Sequence, residues 1–172
     1  MTDLKTRLKA AKKYKPSDVR LLLVAEAPPC TLDRYFYFED VDVQDSLFRY
    51  VWQGLSGENA GERSRKPAQL AAMRDAGVFL IDLHEENVSK PSLKVLGACV
   101  PGLIERCRAI DPEHIVLIKS SVYDSSYAAL VEAGLPVVDE RLPFPGSGQQ
   151  RKFLEGFTDA LEEIGFEFAA SV

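Results

Sequence analysis

Arg20-Leu21-Leu22-Leu23-Val24-Ala25-Glu26-Ala27-Pro28-Pro29 decides the fold. Its first six residues form a continuous apolar run after one arginine, the pattern of a strand covered on both faces, and the two prolines stop it abruptly at a loop. Downstream, Val78 to Leu83 (V-F-L-I-D-L) repeats that pattern after Gly77, Ile115 to Ile118 gives a third such run, and Val137-Val138 a short fourth. Helical spacing separates them. Leu47, Phe48, Val51 and Trp52 share one face. Ala68 to Ala76 is helical, a helix runs from Ser92 to about Ile110, and another from Tyr123 to Ala133. The last starts near Ser147, with Phe153, Leu154, Phe157, Ala160, Leu161 and Ile164 on one side. Gly54 to Lys66 reads as a polar loop. Pro101 is tolerable only in a first turn or at a kink.

Strands alternating with helices imply parallel pairing through right-handed crossovers. The expected fold is α/β: a three-layer α/β/α domain around a central four-stranded parallel sheet, one domain over residues 1–172. The loops after the strands then converge on one edge, where open α/β sheets bind ligands. Those loops are 26–38, 82–90, 119–121 and 139–150.

Ahead of the first strand, Leu4, Leu8 and Ala11 recur at helical spacing up to Pro16, which predicts an amphipathic helix. That opening stretch is basic, with Lys5, Arg7, Lys9, Lys12, Lys13, Lys15 and Arg20 against Asp3 and Asp18, although the whole chain carries a net charge of −5. Such a cluster reads as a solvated helix face or as a contact to a polyanion. The overall acidity argues against tight nonspecific DNA binding. No apolar run approaches the roughly 18–20 residues that span a bilayer, so no membrane partner and a cytoplasmic location are expected. Cys30, Cys99 and Cys107 are widely spaced and suggest neither a disulfide framework nor a metal site.

Several segments, in order, resemble the uracil-DNA glycosylase superfamily. Ala25-Glu26-Ala27-Pro28-Pro29 looks like its first motif, of G-E-A-P-G type, and Gly77 to Leu83 resembles the strand that ends in its base-reading Asn. Cys99-Val100-Pro101-Gly102-Leu103, followed by Ile110-Asp111-Pro112, resembles its C-x-P-x-L and I-x-P passage. Ile115 to Ser121 resembles the next strand and its polar turn. Leu142-Pro143-Phe144-Pro145-Gly146-Ser147-Gly148-Gln149-Gln150 resembles its H-P-S second motif. The likeness runs from about Arg20 to Phe157.

The resemblance implies excision of a damaged base from DNA, with the base flipped out and the N-glycosidic bond hydrolysed. Glu26 then takes the water-orienting position, or is an ordinary strand-end acid paired with Arg34 or Lys119. Ala27 stands where some branches keep an aspartate. Asp82 occupies the place of the base-reading Asn, and an ionised carboxylate only accepts hydrogen bonds where an amide also donates. Asn87 is a substitute from the same loop, and a turn-capping Asp82 is the alternative. Phe144 falls at the histidine position and can neither donate nor carry a proton; His84 lies on the same sheet edge. Phe36 or Phe38 supplies a stacking ring, one of the two being expected in the core.

Ser147 and Gln150 form an S-x-x-Q capping box flanked by Gly146 and Gly148. That helix start, and the one at Ser120-Ser121 beside Lys119, are candidate contacts to a nucleic-acid backbone. The branch closest in flavour holds an iron–sulfur cluster on four cysteines. Only Cys99 matches a ligand position, so no cluster and no other cofactor is expected. Two functions stay open: a divergent, metal-free, monofunctional base-excision glycosylase, and a non-catalytic nucleic-acid or nucleotide binding module on the same fold. Protein partners are not indicated.

Overall fold

A computed structural model describes residues 3–42 and 45–169. In chain order the elements are α1 (Asp3–Lys13), β1 (Leu21–Ala25), α2 (Ser46–Ser56), a 3₁₀ turn (Arg63–Arg65), α3 (Lys66–Asp75), β2 (Val78–Asp82), α4 (Leu93–Ile110), β3 (His114–Leu117), α5 (Ser120–Glu132) and α6 (Gln150–Glu163). The protein is α/β, and its sheet is parallel in the order β2-β1-β3. β1 lies in the centre with Leu21 to Val24 fully buried, as its unbroken apolar run requires. The helices form two main pairs, α2 with α6 and α4 with α5, an arrangement compatible with three α/β/α layers. Among the described residues no helix is long and apolar enough to cross a membrane.

The expected fourth strand is reduced to an isolated bridge between Ile115 and Val137. Ile115 N–H donates to Pro136 O, and Val138 N–H donates to Ile115 O, each at 2.8 Å. Two valines are too few to extend the ladder: Pro136 has no N–H to give, and Val137 N–H turns back onto Leu135 O.

Three other expectations are corrected, and of the two places allowed to Pro101 the first turn is excluded. Gly54 lies inside α2, not in a loop, because α6 crosses there: a Cβ at Gly54 would stand 2.4 Å from the Phe157 ring. Pro101 lies well past the first turn of α4, which continues around it to Ile110. The buried face of α1 carries Arg7 and Ala11, while Leu8 is half exposed. α6 begins at Gln150, without the Ser147 capping box, because Ser147 (φ 51°) and Gly148 (φ 82°) hold left-handed backbone outside the helix.

β2 is an edge strand, and the aromatic run after β1 closes part of that edge. The Tyr37 hydroxyl accepts from Leu80 N–H at 2.6 Å and donates to Leu80 O at 2.9 Å. Arg106 on α4 takes the next outward carbonyl, Asp82 O, at 2.8 Å. Three of the outward ladder groups of this edge, Leu80 N–H, Leu80 O and Asp82 O, are thereby satisfied by side chains.

Candidate functional site

Strand register brings the three carboxyl ends to one level. Ala25 lies beside Asp82, and Val24 lies beside Leu117, so Glu26, Asp82 and Lys119 emerge together. Sheet order 2-1-3 means that the chain crosses back over β1 between β2 and β3. The crevice at the β1 and β3 ends is therefore the topological switch point, where such sheets bind ligands. A cavity of about 270 Å³ opens there, bounded by both prolines of the 28–29 pair, Tyr35 and Phe36, Asp45 to Leu47, Leu80, Asp82, Ile118, Lys119 and Phe144.

Glu26 is fixed at this crevice. Lys119 Nζ donates to its Oε1 at 2.7 Å, and the Ser121 hydroxyl donates to Oε2. Of the two expected partners, the structure provides Lys119 and not Arg34. Lys119 adopts φ 89° just before α5, which sets its ammonium and the first-turn serine on the same carboxylate.

Asp82 is the opposite case. Its residue exposure is 9%, and among the described residues its carboxyl accepts no hydrogen bond and forms no ion pair. Arg106 is committed to the backbone carbonyls of Asp82 and Leu83. Burial pushes the Asp82 carboxyl up to about 7, against the pull of Arg106 and Arg7. Asp82 does not cap the following turn with its side chain.

The ring positions separate. Phe36 is buried, meets Phe48 and Tyr37 edge-on, and contributes to the cavity wall. Phe38 packs edge-on against Tyr35 and lies outside that wall. Phe144 is 42% exposed at the rim, and a Cβ on Gly146 would stand 3.1 Å from its ring. Asn87 is exposed and donates to Cys30 O at 3.1 Å. His84 Nδ1 sits 2.9 Å from Glu86 O. Neither reaches the cavity, nor do Ser147 and Gly148. Ala27 lines it, Ser120 begins α5, and Ser121 acts on Glu26 rather than on an open helix start.

Sequence reasoning missed Asp45 and Lys66. Asp45 caps α2, accepting from Leu47 N–H at 3.0 Å and Phe48 N–H at 3.4 Å, and burial raises its pKa. An acid just before an amphipathic helix is a cap signal that marked it. Lys66 is buried, donates to Tyr35 O at 2.9 Å and lies 4.6 Å from the centre of the Phe48 ring, so it fixes the cavity's aromatic wall. Burial lowers its ammonium to about 8. No local pattern reveals it.

Cys107 is buried, Cys30 is exposed, and the Cys99 thiol donates to Val95 O within its own helix. Among the described residues no three His, Cys, Asp or Glu side chains converge as metal ligands would. No protein-family model matches the chain, and no curated protein matches it significantly.

Proposed function

We propose that the protein is a divergent, uracil-DNA glycosylase-like N-glycosyl hydrolase that receives an extruded base in the cavity at the β1, β2 and β3 ends. One observation carries this reading: two carboxyls of opposite character, Glu26 and Asp82, open from adjacent strands into one aromatic-walled cavity. In this account Glu26 orients a water toward the sugar carbon. The glycosidic bond breaks, its electrons leave with the base, and the water oxygen bonds to the sugar carbon. The water proton passes to Glu26. Lys119 and Arg34 supply positive charge beside the departing base. Asp82, partly protonated at neutrality, offers one O–H donor and one carbonyl acceptor, as an amide would, and so can read a base edge that carries both. Phe36 in the wall and Phe144 at the rim flank the flat ligand.

A second reading, a binding module without chemistry, is favoured by the engagement of both Glu26 oxygens and by an aromatic ring at the histidine position. Base release from single- and double-stranded DNA that carries uracil, hypoxanthine, xanthine or an oxidised pyrimidine separates the two. The hydrolase reading expects release of at least one base, reduced roughly 10²–10⁴-fold in Glu26→Ala. Binding without release, unchanged in Glu26→Ala, supports the module. Absence of both binding and release rejects both.

A further inference from the structure

The first cavity leaves the basic face of α1 unexplained. A second cavity, of about 220 Å³, lies between α1 and the β2 edge and shares only Pro28, Tyr35, Leu80 and Asp82 with the first. Its floor is apolar, made by Leu4, Leu8, Ala11 and Phe79; its cations are Arg7, Lys12, Lys15 and Arg106, and its acids are Asp82 and Glu85.

Their pairing is uneven. Arg106 is held by two backbone carbonyls and lies 4.0 Å from Glu85. Lys12 and Lys15 are exposed and, among the described residues, have no carboxylate within ion-pair distance. Arg7 is the anomaly. It is only 2% exposed; its Nη2 donates to Pro29 O at 2.6 Å and to Thr31 O at 3.4 Å, while Nε and Nη1 have no acceptor among the described residues. A buried guanidinium that forms no ion pair among the described residues, with two nitrogens and their three N–H groups idle, is expensive, and each such group calls for an explanation. The next helical residue, Leu8, leaves half of its surface in water at the same cavity.

We infer that this second cavity binds a phosphate-bearing ligand, whose oxyanion is held by Arg7, Lys12 and Lys15 and whose flat or apolar body lies on Leu4, Leu8 and Phe79. Arg7, Lys12 and Lys15 form no ion pair among the described residues, and with Arg106 they outnumber the two acids of the cavity, Asp82 and Glu85; that excess of positive charge suits a phosphate dianion better than a single carboxylate, and the planar fork of arginine suits its oxygens. The apolar floor fits the usual composition of small-molecule sites. The two sites use different cations but share Asp82 in their walls, so the Glu26 and Lys119 signals, which belong to the first cavity alone, tell the two apart.

The test is an NMR titration of the full-length, ¹⁵N-labelled chain with phenyl phosphate, with benzoate, and with a short single-stranded oligonucleotide that lacks damaged bases. The expected result is saturable movement of the Leu8 to Lys15 and Phe79 to Asp82 amides, and of the Arg7 Nε–H signal. Phenyl phosphate and the oligonucleotide distinguish a free ester from a nucleic-acid backbone as the source of the phosphate. Lys12→Gln combined with Lys15→Gln, both on the surface, should weaken binding at least tenfold while the Glu26 and Lys119 signals stay in place. Benzoate should bind at least tenfold more weakly than phenyl phosphate. The inference is overturned if neither phosphate probe moves these signals, if the double variant binds as tightly as the wild type, or if benzoate matches phenyl phosphate.

Discussion

The ends of β1 and β2 lie side by side, and each delivers one carboxyl to the same cavity, but their surroundings are opposite. At β1, Glu26 is held by Lys119 and by Ser121 from the α5 start, one bond to each oxygen, which leaves a lone pair on each. At β2, Asp82 is buried and, among the described residues, has no donor, while the Arg106 guanidinium is spent on backbone oxygens. The difference comes from topology. β1 is central, so β3 and its following helix supply partners; β2 is an edge, where side chains must serve the open ladder before they can serve a carboxyl. One acid is positioned and the other is left chemically available.

The largest effect should come from removing the Asp82 charge. The folded protein holds its proton up to about pH 7, whereas the ordinary value is 3.8. Folding therefore favours the protonated form, and native stability falls as pH rises from about 4 to about 7, with the full penalty above it. Asp82→Asn should unfold at higher denaturant at pH 8, by about 4 kcal/mol, with the gap closing near pH 4. A constant gap at every pH would erase the contrast between the two strand ends.

Phe144→Ala comes next. The exposed ring contributes little to the core, so stability should change by less than about 1 kcal/mol. Affinity for a base in the cavity should fall by about 1–3 kcal/mol, as loss of a stacking surface predicts. Calorimetric binding measured beside thermal unfolding separates the two.

The fixed carboxyl predicts smaller numbers. A double-mutant cycle of Glu26→Gln and Lys119→Met, read by chemical denaturation, should give a coupling of about 1 kcal/mol, because the Lys119 side chain is 39% exposed. Ser121→Ala should cost about 1 kcal/mol, the value of one hydrogen bond. Coupling near zero would mean that Glu26 is not held by its neighbours.

The place of both carboxyls on one sheet edge was legible in the sequence; the contrast in their surroundings was not. The apolar runs located β1 to β3, and the rule that ligands bind at the strand carboxyl ends placed Glu26, Asp82 and Lys119 on one edge. Pairwise geometry was not legible. Nothing local says that Ser121 turns onto Glu26, that Tyr37 plugs the β2 edge, or that Gly54 serves a helix crossing. Arg7 was hidden for another reason: composition marks a basic helix as solvated, and only packing against the loop at Pro29 buries its single arginine. Val137-Val138 shows the opposite error, since β-branched residues beside a proline carry strand propensity without donors enough to extend a ladder.

The central claim is that a base enters the cavity between these two carboxyls. Its most direct test is NMR mapping of uracil and deoxyuridine on the full-length, ¹³C,¹⁵N-labelled protein at pH 6.5. The account predicts saturable shifts of the Glu26 and Asp82 carboxyl carbons and of the Ala27, Lys119 and Phe144 signals. Binding that leaves both carboxyl carbons unmoved, or no binding by either compound, would contradict it.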